Sequence, residues 1–153
     1  MTSASPLCNL RIRGDRLCQS LLELAQIGGT LKGGVCRLAL TDLDKQGRLW
    51  VVEKARRLGL EITIDQIGNT FMRRLGKNLQ LAPIMTGSHI DTQPTGGKYD
   101  GNYGVLAGLE VIETLIDYGI ETEAPIEVVF WTNEEGSRFT PVMMGSGVFA
   151  GAV

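Results

Sequence analysis

The 153 residues carry 43% hydrophobic and 21% charged side chains, a balance that predicts one globular domain with a core and excludes a disordered chain. Lysine and arginine total 15 against 17 aspartates and glutamates, with no basic block longer than a pair, so neither nucleic acid nor an anionic membrane is an expected partner. No run of about 18 apolar residues is present, and the stretch Met1 to Pro6 is polar where a signal peptide would be apolar; the expected compartment is the cytoplasm.

Cys8, Cys18 and Cys36 are odd in number and widely spaced, which fits neither a disulfide framework nor a CxxC metal knuckle; they are expected to be reduced and mostly buried. From Asp15 to Gln26, Leu17, Leu21 and Leu24 recur at helical spacing, and Gly28-Gly29 supplies a stop. The segment Gly29 to Leu40 has no clean period and reads as a connection. Gly33-Gly34 within it lacks a following Gly-Lys-Ser/Thr, so it makes a poor phosphate cradle.

A second helix is expected from Thr41, whose hydroxyl can cap a first turn containing Asp42 and Asp44. Leu43, Trp50, Val51, Ala55 and Leu58 mark its buried stripe and Gly59 its end. Glu61 to Asp65 alternates polar and apolar, and Gly68-Asn69 can turn the chain into a partner strand with Phe71 and Met72, giving a hairpin. The apolar run Ala82 to Met85 predicts a strand covered on both faces. Val105, Leu109, Ile112 and Ile116 predict a helix ending at Gly119, and Ile126 to Trp131 a further buried strand. The end, Gly145 to Val153, is small and apolar, unlike the polar terminus of a finished domain.

Strand, helix and strand in this order form a βαβ unit, an α/β pattern in which chemistry gathers at the carboxyl ends of the strands. There stand Gly87-Ser88-His89-Ile90-Asp91-Thr92, Gly96-Gly97-Lys98-Tyr99-Asp100-Gly101 and Asn133-Glu134-Glu135-Gly136. Singly, each has an ordinary reading: a lone histidine in a satisfied environment, an Asp-Gly turn, a solvated pair of glutamates. Jointly, they predict a metal site for hydrolysis. His89, Asp100 and Glu135 are the ligand types that suit zinc, manganese or cobalt, and Asp100 can bridge two ions. Asp91 is placed to accept the second imidazole N–H of His89, and Glu134 is free to act as general base.

These three motifs, with Gly104-Val105-Leu106-Ala107-Gly108 and the continuation Ser137-Arg138-Phe139, resemble the signatures of the hydantoinase/carbamoylase family of di-metal amidohydrolases. That family contains N-carbamoyl-L-amino-acid hydrolases, allantoate amidohydrolases and β-ureidopropionases. The resemblance extends from about Arg13 onward. It implies an aminopeptidase-like three-layer catalytic domain with a central mixed sheet, incomplete at the carboxyl end, without the dimerisation domain. It further implies two divalent metal ions, zinc first, with His89, Asp100 and Glu135 as ligands, Glu134 as base and Asp91 orienting His89. The implied substrate is a small N-carbamoyl or ureido compound, and the implied assembly a homodimer. Family members contribute two more metal-binding histidines, which this sequence lacks, so the 153-residue chain is expected to be inactive alone. The rival reading is a non-catalytic binding module that keeps the fold.

Overall fold

The computed structural model describes residues 9–153. Helix α1 (Gly14–Leu24) buries Leu17, Leu21 and Leu24, the three leucines whose spacing predicts it. Helix α2 (Asp42–Arg57) starts where the capping pattern places it: the Thr41 hydroxyl accepts the Asp44 N–H at 3.3 Å. Strands β1 (Glu61–Ile64) and β2 (Thr70–Arg74) form the expected antiparallel hairpin. The Asp65 carboxylate closes its turn by accepting the N–H groups of Ile67 and Asn69. Strand β3 (Ile84–His89), helix α3 (Asn102–Asp117), strand β4 (Ile126–Trp131) and a short helix α4 (Met144–Phe149) follow.

The four strands make one mixed sheet in the order β1-β2-β4-β3, with β3 and β4 parallel and the other pairs antiparallel. Alternation along β2 and β4 sends Met72, Val128 and Phe130 to one face, where α1, α2 and α3 cover them with Leu24, Val51, Leu109 and Ile112. Phe71 and Trp131 point the other way, and the Phe149 ring of α4 packs on both at 5.8 and 5.1 Å between centroids. Helix, sheet and helix make three layers, as the resemblance implies. Gly104 and Gly108 let α3 settle on β3, because a Cβ at either would press on Ser88 or Thr86.

Several expectations need correction. β3 is not covered on both faces: it is the edge of the sheet, and Ile84 is 66% exposed. Leu43 and Ile116 lie at the margins of their helical stripes and are exposed, beyond the reach of the core. Cys18 is exposed and Cys36 half-buried, against the expectation of buried thiols, because both lie off the core-facing positions; Cys8 lies outside the described residues. The segment Gly29 to Leu40 is a connection, as expected, and within it Val35 bridges to both Gly29 and Gly96 and ties two loops together. No helix among the described residues is long and apolar enough to cross a membrane.

Candidate active site

Parallel pairing sets His89 opposite Trp131, so the chains leaving β3 and β4 emerge side by side. The first continues through buried Ile90, Asp91 and Thr92. The second passes through Thr132 and Asn133, which is fully buried with φ +52°, a left-handed conformation that asparagine tolerates. Its amide nitrogen donates to the carbonyls of Phe139 and Pro141, and the bend presents Glu134 and Glu135 at the rim of the sheet.

The imidazole of His89 is 7% exposed. Its Nδ1 lies 2.8 Å from the carbonyl oxygen of Asp91. A carbonyl only accepts, so Nδ1 carries the hydrogen and Nε2 offers its lone pair outward. Nε2 faces Glu134 Oε2 at 3.4 Å and Asp100 Oδ1 at 4.0 Å. The tautomer is therefore fixed by residue 91, as expected from its spacing, but by a different atom: the Asp91 carboxylate stands 3.8 Å from Nδ1. That carboxylate instead accepts the N–H groups of Glu134 and Glu135 at 3.3 and 3.2 Å, which locks the loop after β4 onto the loop after β3.

Asp100 arrives from the other side. A γ-turn centred on Gly101 (φ +66°, ψ −52°) brings the Asn102 N–H to the Asp100 carbonyl at 2.7 Å and starts α3 directly beneath the imidazole. The Asp100 side chain is 70% exposed, open to solvent above His89. Glu135 turns aside, and its Oε2 accepts from the Gln93 amide at 2.7 Å. His89, Glu134 and Asp100 thus converge, Asp91 lies beneath them, and Glu135 sits one step out.

Burial raises the pKa of Glu134, and the neighbouring carboxylates Glu135, Asp91 and Asp100 push the same way against the opposing pull of His89. Burial also raises that of Asp91, countered by the two N–H groups it accepts and by His89. A carboxylate held above its usual range is a better proton acceptor, as a general base requires. The crowding of negative charge around a free imidazole lone pair is chemistry that suits a divalent cation. The donors fit in kind but not in arrangement: Glu135 is turned to Gln93, and among the described residues no three His, Cys, Asp or Glu side chains stand together closely enough to hold an ion.

Three contributors went unread in the sequence: Gln93 on Glu135, Asn102 at the start of α3, and Arg37. The one available signal was a single charge inside the apolar run Val35 to Leu40.

The profile of peptidase family M20/M25/M40 matches residues 85–153, the stretch that holds His89, Asp91, Asp100, Glu134 and Glu135 but not Arg37. The N-carbamoyl-L-amino-acid amidohydrolase of Rhizobium meliloti is 49% identical over 148 residues, 97% of this chain and 36% of that protein. An amidase of the hydantoinase/carbamoylase family from Burkholderia vietnamiensis superposes with a TM-score of 0.94 at 61% identity, over 95% of this chain and 35% of that one. The chain is a relative of the hydantoinase/carbamoylase amidases. The allantoate amidohydrolase of Bacillus subtilis is also similar, 41% identical over 128 residues, 84% of this chain and 31% of that protein. The chain spans about a third of the length of these relatives.

Proposed function

We propose that this chain carries the base and part of the metal-binding set of a hydrolase of linear ureido amides, with N-carbamoyl-L-amino acids as the substrate class. The observation that supports it best is the convergence of His89 Nε2, Glu134 and Asp100 within 4.0 Å at the ends of two parallel strands. In this reading His89, Asp100 and Glu135 would hold the divalent ions; zinc is the first candidate, then manganese or cobalt. Bound ions would polarise the ureido carbonyl and acidify the attacking water. Glu134 takes a proton from that water as its oxygen bonds to the ureido carbon, and returns the proton to the leaving amino nitrogen as that C–N bond breaks; the carbamic acid released falls apart into carbon dioxide and ammonia. Asp91 holds Glu134 in place through its N–H and holds the imidazole through its own carbonyl.

Assay of the polypeptide extended to the length of its relatives, against N-carbamoyl amino acids, allantoate and 3-ureidopropionate, tests this. Hydrolysis of the first class, lost by about 10²-fold or more in Glu134→Gln with metal content unchanged, is expected. Activity confined to simple peptides would overturn the substrate class. Allantoate is the second reading, favoured by the similarity to the Bacillus enzyme. The 153 residues alone, short of ligands, are expected to bind zinc weakly and to turn over nothing. A homodimer is the proposed assembly of the extended polypeptide, checked by light scattering.

A further inference from the structure

Arg37 is completely buried, yet among the described residues no carboxylate stands within ion-pair distance of it. Its guanidinium is satisfied by oxygen atoms of three separate segments. Nε donates to the Ile90 carbonyl at 2.9 Å, Nη1 to the Leu24 and Ile27 carbonyls at 3.0 and 2.7 Å, and Nη2 to Asn102 Oδ1 at 2.8 Å. The backbone of the same residue pairs with Thr92: the Arg37 N–H donates to Thr92 Oγ1 at 2.8 Å, and the Arg37 carbonyl accepts the Thr92 N–H at 2.9 Å. Residue 37 therefore grips both neighbours of Asp91, and Asp91 is the residue whose carbonyl fixes the His89 tautomer and whose carboxylate holds Glu134 and Glu135. Through Asn102 it also grips the turn that carries Asp100.

Burial lowers the pKa of Arg37 to about 10, with Asp44 and Asp91 acting in the opposite direction, so it remains a cation at neutral pH. An ammonium could not replace it, because four acceptors in fixed positions require the planar fork. The helix above has adapted to it: a Cβ at Gly47 of α2 would stand 2.8 Å from Arg37 Cδ.

We propose that Arg37 is the positioning residue of the site, a buried cation that sets the His89–Asp91 segment and the Asp100 turn in register from beneath without touching substrate. The inference rests on reading His89, Asp100, Glu134 and Glu135 as one site. Its test need not share the fate of that reading, because His89 is the only histidine of the chain and its ring nitrogens give unique signals. In ¹⁵N-labelled chain at about pH 9, where imidazole is neutral, the wild type is expected to show the Nδ1–H tautomer. In Arg37→Met the Ile90 carbonyl is released and the Asp91 carbonyl is free to turn, so the tautomer ratio is expected to move by about fivefold, the worth of one hydrogen bond.

Circular dichroism on the same samples establishes that the variant is folded. Should Arg37→Met fail to fold, Gly47→Ala, which crowds the guanidinium without deleting it, is expected to shift the ratio in the same direction. Gly14→Ala is the control for a helix glycine near nothing. A folded Arg37→Met, or a folded Gly47→Ala where that alone is available, with the His89 tautomer unchanged overturns the proposal. A shifted tautomer in a polypeptide that takes up no zinc and cleaves no N-carbamoyl amino acid would sink the hydrolase reading and leave the positioning role standing.

Discussion

Gly101→Ala is the substitution that tests the geometry of the site most directly. Gly101 occupies a γ-turn with positive φ, a conformation that costs a residue with a side chain about 1–3 kcal/mol. A Cβ there would also lie 2.5 Å from His89 Cε1, Nε2 and the His89 carbonyl oxygen. The ring can swing, but the carbonyl is fixed in the β3–β4 pairing, so overpacking adds roughly 1–3 kcal/mol more. The expected loss is therefore about 2–6 kcal/mol, a large share of the stability of a domain this size. Gly97→Ala is the matched control, since it lies in the same loop with nothing within 4 Å of the added Cβ and without a positive φ. Urea denaturation of both variants reads the difference, with the His89 ring signals reporting where the strain goes. A Gly101→Ala chain within 0.5 kcal/mol of Gly97→Ala would refute the γ-turn as the device that aims Asp100, the scale on which ordinary surface substitutions fall.

Three further outcomes follow from the packing and charge. Burial alone would raise the pKa of Glu110, but Arg16, the Arg13 N–H and Thr114 together outweigh it and hold the carboxyl below its ordinary 4.5. A depressed folded value stabilises above the unfolded pKa and is lost as pH falls through the folded one. Glu110→Gln is thus expected to cost about 1.5–3 kcal/mol near pH 7, and the gap to wild type should close in denaturation curves taken below about pH 4. Met72→Ala empties a fully buried position under α2 and α3 and should lower stability by about 2–5 kcal/mol in urea titrations. Thr41→Ala removes the cap of α2 and is expected to cost about 1 kcal/mol, whereas Thr41→Ser should restore it by the same measurement.

What was legible in the sequence was whatever neighbouring residues decide. β4 was readable end to end because Ile126 to Trp131 is apolar at every position but Glu127 and needs both faces covered, and α2 was readable at its start because Thr41 and Asp44 meet within one turn. That the site residues gather at the two strand ends was legible too, since a parallel βαβ unit sets those ends side by side, but the trio expected to converge was His89, Asp100 and Glu135, and it is Glu134 that meets the imidazole while Glu135 turns to Gln93. What was not legible depends on partners remote in the chain. An apolar run looks alike at a sheet edge and in its centre, so β3 was misjudged; α4 had no expectation, because Gly145 and Gly147 are poor helix formers. Residue 91 offers two acceptors two positions past His89, and only the folded backbone decides that the carbonyl takes the imidazole N–H while the carboxylate takes two amides.

Arg37 was the deepest of these omissions, and the reason bears on how the site is built. A buried cation is usually matched with a carboxylate, yet a carboxylate rotates with its own side chain and would fix little beyond itself. Carbonyl oxygens are rigid extensions of the main chain, so a guanidinium that binds those of Leu24, Ile27 and Ile90 reads the position of backbone directly. Burial disfavours the charge, as its lowered pKa records, and that cost falls on the stability of the whole domain. The return is confined to one place: the segment between the Ile90 and Thr92 contacts is Asp91 alone, and every group that faces the imidazole is attached to it or to Asn102 by one hydrogen bond or one turn. A domain that accepts global destabilisation for local rigidity does so where the geometry of a few side chains matters more than the strength of the fold.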